Sequence, residues 1–163
     1  MIRSLHHMAF RCRNSEETRA FYEDVVGLKL IGAHELGETK TGRTVRALHT
    51  FFGMDDGSAV AFFEVPGSPF EFKTQHDFDL HIALETDEAH MARVMETARA
   101  HGLELRGPSD HGFIRSIYLR DPNGYIVELT VKAANYANLV RDEAARARAT
   151  LARWTRETAE APT

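Results

Sequence analysis

Two histidines and a glutamate occupy positions from which they could bind one metal ion. His7 and His81 each lie in a short, mostly apolar stretch, and Glu128 interrupts an apolar or β-branched run, residues 125–131. A buried carboxylate without a partner is strongly unfavourable. A cation that also binds two imidazoles would satisfy it. Two histidines and one carboxylate with open positions form the facial triad of non-haem Fe(II) enzymes.

Each of the three residues also has a purely structural interpretation. A histidine on a strand is usually held by hydrogen bonds within the fold. Glu128 could likewise lie at a solvated edge of a sheet. Residue types and spacing leave both interpretations open, so the elements that carry these residues must be considered.

An internal repeat places the two histidines at equivalent positions. His7 precedes Gly27 by 20 residues, His81 precedes Gly102 by 21, and a helical pattern separates each pair. Counting back from the helix-ending glycines therefore pairs His81 with His7 better than with His6. Two equivalent strands of a pseudo-symmetric protein would then each present one histidine.

Each half of the repeat predicts a strand, a helix and further strands. The first helix should begin near Asn14, where Glu17 completes the spacing of a capping box, and the second near Asp87. Later runs rich in β-branched and aromatic residues predict further strands, namely 44–52 and 58–65 in the first half and 114–119 and 125–131 in the second. Asp121 to Gly124 has the pattern of a type I turn.

The chain is therefore expected to be an α+β protein of two tandem βαβββ modules. The first module is assigned to residues 1–66, a linker to 67–77, the second module to 78–131, and a C-terminal amphipathic helix and tail to 132–163. The tail helix carries an apolar stripe from Val140 to Trp154, which should pack on the sheet or on a partner chain.

Composition excludes several classes of function. The 163 residues are 43% hydrophobic and 27% charged with a net charge of -4, which does not suggest a nucleic-acid partner. No stretch approaches a membrane span, and the first residues lack the apolar run of a secretory signal. Cys12 is the single cysteine and is expected to fill the core. A cytoplasmic protein is the expectation.

Two segments resemble the vicinal oxygen chelate superfamily, which includes glyoxalases, bleomycin-resistance proteins, fosfomycin thiol transferases and extradiol dioxygenases. They are LHHMAFRCRNSEETRAFYEDVVGLKL and DHGFIRSIYLRDPNGYIVELTV, and the resemblance covers about residues 4–131. It implies a barrel-like sheet formed by the paired modules. It also implies metal ligands at His7, His81 and Glu128, and a homodimer.

The resemblance to extradiol dioxygenases implies a specific set of roles. Fe(II) would be the metal, with Mn, Ni, Zn or Co as alternatives, and the substrates would be a catechol-like aromatic and dioxygen. His111 would act as acid and base, and Tyr118 would hydrogen-bond a substrate oxygen. Phe62 and Phe113 would line an aromatic-binding wall.

Other members of the superfamily imply different functions. The glyoxalases and epimerases of this superfamily have a fourth metal ligand on the last strand of the first module. The resemblance places that position at Phe62, and Glu64, on the same strand face, is the other candidate for a fourth ligand. Phe62 cannot bind a metal, which disfavours the glyoxalases and epimerases. A redox-inert lyase, isomerase or thiol transferase is nevertheless kept as the alternative function. So does a metal-free drug-binding protein. Oxygen consumption separates the dioxygenase from the redox-inert enzymes, and metal content separates the binding protein.

Overall fold

The computed structural model describes residues 1–39 and 41–159. Lys40, within the predicted first module, and residues 160–163, at the end of the predicted tail, lie outside the described residues.

The chain folds into two successive units with the same order of elements, followed by a helix. The first unit consists of β1 (His7–Cys12), α1 (Ser15–Arg19) with a π-helical continuation (Ala20–Val25), β2 (Lys29–Glu38), β3 (Thr44–Gly53) and β4 (Ala59–Glu64). The second unit consists of β5 (His81–Glu85), α2 (Glu88–Ala100), β6 (Leu105–Asp110), β7 (Ile114–Arg120) and β8 (Ile126–Lys132). The last element is α3 (Tyr136–Ala159).

Each unit forms a four-stranded mixed sheet. The strand orders are β1-β4-β3-β2 and β5-β8-β7-β6, so the two sheets have identical topology. In each sheet the first strand pairs in parallel with the last, and the other pairs are antiparallel. The α+β class and the tandem βαβββ arrangement expected from the repeat are thus confirmed.

Local signals in the sequence account for the helix starts. The Asn14 side chain accepts hydrogen bonds from the backbone amides of Glu16 and Glu17, both at 2.9 Å, and so caps α1. Asp87 caps α2 by accepting from the amide of His90 at 2.7 Å. Short polar side chains at these positions satisfy amides that have no partner within the helix.

One hydrophobic core joins the two units, and helices rather than sheet edges make much of the contact. Apolar side chains of the first unit, such as Phe21 and Val26, belong to the same buried cluster as Met91 and Val94 of α2. His90 of α2 forms a hydrogen bond of 2.7 Å from Nε2 to the carbonyl oxygen of Val26. The sequence pattern suggests a surface residue at His90, but the side chain makes an inter-unit contact.

The turn before β8 makes a second, polar contact between the units. Asp121 is buried, and its carboxylate accepts hydrogen bonds from the hydroxyl of Tyr22 at 3.2 Å and from the amides of Asn123 and Tyr125. The Asn123 side-chain oxygen in turn accepts from the amide of Arg13 at 2.9 Å. This network fixes the turn against the end of β1.

We expect Asp121 to make stability depend on pH in an unusual direction. Burial raises the pKa of this carboxyl, although its hydrogen bonds oppose the shift. A raised pKa means that the folded chain binds the proton more readily. The contribution of the Asp121 carboxyl to stability is therefore complete below the ordinary carboxyl pKa, about 3.9. It is lost as the pH rises through the pKa that Asp121 has in the folded state. Relative to Asp121→Asn, wild-type Tm should fall as the pH rises from about 4 toward neutrality.

Thermal unfolding of both proteins across this pH range measures the difference. Asp24→Asn is the matched control. Arg19 lowers the pKa of Asp24. The effect of Asp24 on the pH dependence of Tm therefore has the opposite sign, and it is smaller because solvent screens the ion pair. A Tm difference between wild type and Asp121→Asn that stays constant with pH would contradict the assignment.

The helix α3 extends over 24 residues and has no buried residue. The predicted stripe from Val140 to Trp154 is therefore present as a helical face, but it does not pack on a sheet of its own chain. None of the described helices is long and apolar enough to cross a membrane.

Candidate metal site

His81 and Glu128 meet on one face of the second sheet. The register of β5 and β8 pairs Ala83 with Glu128, so His81 is its diagonal neighbour on the same face. His81 Nε2 lies 3.4 Å from Glu128 Oε2, and Glu128 is only 5% exposed. Among the described residues, His81 is the only basic side chain within ion-pair distance of this buried carboxylate. A divalent cation would satisfy such a pair, so the donor set fits a metal.

The backbone fixes His81 in the form that can bind a metal. Its Nδ1 lies 2.7 Å from the carbonyl oxygen of Asp77, and because a carbonyl oxygen can only accept, Nδ1 carries the proton. In the neutral ring, Nε2 therefore presents its lone pair toward Glu128. Protein carbonyls hold many metal-binding histidines in the same way.

Arg106 connects this backbone segment to the rest of the site. Its Nη2 donates to both carboxylate oxygens of Asp77 at 2.8 Å. Its guanidinium also lies over the Tyr118 ring, 5.4 Å from the centroid. Arg106 thereby links the segment that orients His81 to Tyr118.

Tyr118 and His111 lie beside Glu128. The register of β7 and β8 places Tyr118 directly opposite Glu128, on the same face. The Tyr118 hydroxyl and His111 Nε2 are 2.9 Å apart and form a hydrogen bond. Burial, and then the neighbouring charge of Glu128, raises the pKa of Tyr118, so its hydroxyl stays protonated at neutral pH. The second sheet thus brings together four residues singled out in the sequence.

His7 lies on the other sheet. It is exposed at the start of β1, where its Nδ1 is 2.7 Å from Nδ1 of His6 and its ring packs edge-on against Phe51 at 5.5 Å. Within residues 1–39 and 41–159 of one chain, no three histidine, cysteine or acidic side chains come together to hold a metal. A single chain therefore brings together two of the three predicted ligands.

The prediction that Phe62 lines a substrate wall is wrong. Phe62 is fully buried and packs against Tyr22 and Phe52 in the core. The register explains the error: Ala61 pairs with Ala9 two residues after His7, just as Glu128 pairs with Ala83 two residues after His81. The position equivalent to Glu128 is therefore Ala61, one residue earlier than the sequence alignment placed it.

Glu64 is not placed to act as a fourth ligand. It lies on the opposite face of β4 from Ala61, and its Oε2 accepts a hydrogen bond from the amide of Ser15 at 2.7 Å. This contact belongs to the start of α1. Alanine cannot bind a metal, so the first sheet offers no donor at the position equivalent to Glu128.

The sequence pattern did not predict the aromatic group that lies beside His7. His49 stacks on Phe63 with 3.6 Å between ring centroids, and both lie close to Phe51 on the face that carries His7. His49 Nδ1 is fixed by the carbonyl oxygen of Phe62 at 3.0 Å. Strand alternation from His7 across β4 to β3 was the signal that could have identified this aromatic face.

Two other residues have clear locations. Phe113, predicted to line the substrate site, is 43% exposed in the β6–β7 connection, and its ring lies 6.3 Å from that of Tyr136. Cys12 is buried, as predicted for a core residue, and burial raises the pKa of its thiol. A buried thiol with a raised pKa is a poor nucleophile.

Comparisons of sequence give a consistent result. The model of the Glyoxalase/Bleomycin resistance protein/Dioxygenase superfamily matches residues 4–129. Lactoylglutathione lyases of Neisseria meningitidis serogroups A and B are each 32% identical over 138 residues, covering 80% of this chain and 91% of the relative.

Solved structures share the fold at lower identity. The fosfomycin resistance protein FosX from Mesorhizobium loti superposes with a TM-score of 0.61 at 24% identity, covering 85% of this chain and 99% of that one. FosX from Listeria monocytogenes, as a glutamate-to-glutamine mutant complexed with Mn(II) and 1S,2S-dihydroxypropylphosphonic acid, gives 0.60 at 22%, covering 83% and 97%. A glyoxalase/dioxygenase from Nostoc punctiforme gives 0.59 at 23%, covering 80% and 92%.

Proposed function

This chain belongs to the Glyoxalase/Bleomycin resistance protein/Dioxygenase superfamily, and we propose that it is a redox-inert, metal-dependent enzyme of the glyoxalase or fosfomycin-resistance type. The observation that carries the proposal is the buried Glu128 carboxylate, which lies 3.4 Å from Nε2 of His81 in a metal-binding form. The similarity to lactoylglutathione lyases supports chemistry without oxygen consumption.

The third ligand would be His7 of a second copy. Both histidines lie on edge strands, β1 and β5, whose exposed residues face away from the shared core. The two units of one chain contact each other largely through helices and the turn at Asp121, and within the described residues neither β1 nor β5 pairs with a strand of the other unit. A homodimer in which β1 of one chain approaches β5 of the other would form two equivalent sites.

The chemistry follows from the side chains around the pair. A divalent cation held there would polarise a carbonyl or epoxide oxygen of the substrate. The Tyr118 hydroxyl is positioned to donate a hydrogen bond to that oxygen as negative charge develops on it. His111, hydrogen-bonded to Tyr118, would accept a proton from the substrate or return one to it. Ala61 limits the protein donors to three, so coordination positions would stay open for substrate.

The charges on the second sheet favour the glyoxalase type over the fosfomycin-resistance type, because they argue for a substrate without a phosphonate group. Three basic side chains lie on the site face, and each is paired with a carboxylate: Arg106 with Asp77, Arg120 with Glu104, and Lys132 with Glu85. Recognition of a phosphonate would need cations that are free to bind it. The aromatic face beside His7 would instead contact a flat or apolar part of the substrate.

An extradiol dioxygenase is the second candidate. It is favoured by the proposed three-donor set and by the proximity of His111 and Tyr118, the two residues expected to act in catechol cleavage. Its metal would be Fe(II), whereas Mn, Ni, Zn or Co would suit the redox-inert reaction. A metal-free drug-binding protein on the same fold is a third outcome to be tested.

Metal analysis followed by oxygen uptake distinguishes these functions. Protein purified without oxygen is analysed for metals, reconstituted with Mn(II), Ni(II), Zn(II) or Fe(II), and assayed with a thiol–2-oxoaldehyde adduct, an epoxide and a catechol. The proposal expects about one metal per chain and turnover without oxygen consumption. Oxygen uptake with the catechol alone would establish the dioxygenase. No metal binding after reconstitution would leave the binding protein.

We expect Tyr118→Phe to slow turnover by roughly 10²–10⁴-fold while metal still binds, because the change removes one hydroxyl and retains the ring. The ring also keeps its contact with Arg106. The measurement is kcat, together with metal content, for the reconstituted enzyme. Tyr136→Phe, a tyrosine at the start of α3, is the matched control and should be near wild type. Equal kcat in Tyr118→Phe and wild type would exclude a role for this hydroxyl.

A further inference from the structure

The C-terminal helix presents an apolar face to solvent along its whole length. No residue of α3 is buried, and two of its large side chains, Leu151 and Trp154, are each 65% exposed. Helices with a long exposed apolar seam are typically covered by another helix. The sequence of α3 indicates which helix this is.

The seam has the spacing of a two-stranded coiled coil. Its residues alternate at intervals of three and four over three heptads: Ala137, Val140, Ala144, Ala147, Leu151, Trp154 and Thr158. Such spacing keeps one stripe facing a partner helix that follows the same path. The alanines in the middle of the stripe allow two helices to approach closely. The larger side chains lie toward the C-terminal end.

We propose that α3 pairs in parallel with α3 of a second copy. The residues that flank the seam carry the argument, since they set partner and direction in coiled coils. In the parallel arrangement Glu143 lies opposite the partner's Arg148, and the two-fold axis forms this pair twice. Glu143 is 64% exposed beside Arg146 at 3.0 Å in its own helix, so it is accessible to the partner.

Antiparallel pairing places like charges opposite each other. With Val140 opposite the partner's Leu151, Arg141 would face the partner's Arg148 on both sides of the axis. With Val140 opposite the partner's Thr158, Arg148 would face the partner's Arg148, and Glu143 the partner's Glu157. Like charges at these flanking positions select against the wrong orientation. The flanking charges of α3 thus favour one direction.

This pairing does not depend on the metal site or on any reaction. The paired surface belongs to α3, which follows β8 in the chain and contains neither His81 nor Glu128. Its test can therefore fail while the proposed function stands, and the reverse is equally true.

Disulfide trapping in the full-length protein tests the arrangement. In the parallel pair, Val140→Cys would face its own copy at a Cα separation near 6 Å, within the reach of a disulfide. In either antiparallel register the two cysteines would be at least about 16 Å apart along the axis. Under mild oxidation at low protein concentration, Val140→Cys should give covalent dimer roughly tenfold faster than Ala149→Cys, which lies on the outer face. Wild type, whose Cys12 is buried, is the background control.

Charge exchange gives a second, independent readout. In the Val140→Cys protein, adding Glu143→Arg or Arg148→Glu alone should slow trapping, because each places like charges opposite each other. Combining both changes should restore the rate. If Val140→Cys is trapped no faster than Ala149→Cys, or a mixture of Val140→Cys and Leu151→Cys gives mainly the mixed disulfide, the parallel pairing is wrong.

Discussion

Replacing Glu128 with alanine is expected to remove metal binding and, with it, all measurable turnover. Glu128 is the one carboxylate donor of the proposed site, and it is buried beside His81. Loss of an outer-shell partner alone costs about 10–100-fold in metal affinity. Loss of the donor itself should exceed that. Metal content by elemental analysis after reconstitution, and calorimetric titration with Mn(II), measure the effect directly.

The same variant should fold at least as well as the wild type when both are free of metal. Without metal, the wild type carries the cost of burying this carboxylate without a full counter-charge, and Glu128→Ala removes that cost. Glu85→Ala is the matched control. Glu85 lies on the same face of β5 as His81, but it is exposed and paired with Lys132. Its loss should therefore leave metal binding intact. Retention of a stoichiometric metal in Glu128→Ala would refute the proposed site.

Mixing two inactive variants is expected to restore about a quarter of the wild-type metal content and activity. The variants are His7→Ala and Glu128→Ala, refolded together in equal amounts. In the heterodimer, the His7→Ala chain supplies His81 and Glu128, and the other chain supplies His7. Half of the dimers would then have one intact site out of two. Metal content makes the result independent of the substrate.

The control mixture combines His81→Ala with Glu128→Ala. Both residues belong to the same half of the site, so no pairing of these two chains produces an intact set of ligands. This mixture should stay without metal. Recovery in the control mixture as well would mean that His81 and Glu128 need not come from the same chain, which would contradict the proposed division of the ligands. Absence of recovery in the first would mean that His7 does not act across the dimer.

Much of the fold could be predicted because its signals are local and occur twice. Asn14 and Asp87 cap the helices that the sequence predicted. The repeat paired His7 with His81, and the two sheets place them at equivalent ends of equivalent edge strands. Glycine spacing and hydrophobic alternation were sufficient for this, since both reflect backbone geometry within one element.

The error at Phe62 shows where strand prediction becomes unreliable. Side chains alternate with a period of two, so a shift of one residue moves a side chain from one face to the other. The run Val60 to Phe63 is apolar on both faces, and its pattern gave no indication of which face carries His7. Only pairing with β1 determines the register. In β8, by contrast, the single acidic residue of the run identified the face that carries His81.

The distribution of the three predicted ligands over two sheets could not be read from the sequence. A ligand set names residues, but whether one chain or two provide them depends on how the units pack. That packing rests on contacts such as Tyr22 with Asp121 and His90 with the backbone at Val26, between residues distant in sequence. None of these contacts has a recognisable motif.

The identical strand order of the two sheets points to the duplication of a shorter ancestral gene. After duplication, selection could act on the two halves separately. The second sheet carries Glu128, whereas the first carries Ala61 at the matching position and has aromatic side chains at His49, Phe51 and Phe63. Substitutions in the first half of the gene could therefore change this aromatic face without altering His81 or Glu128.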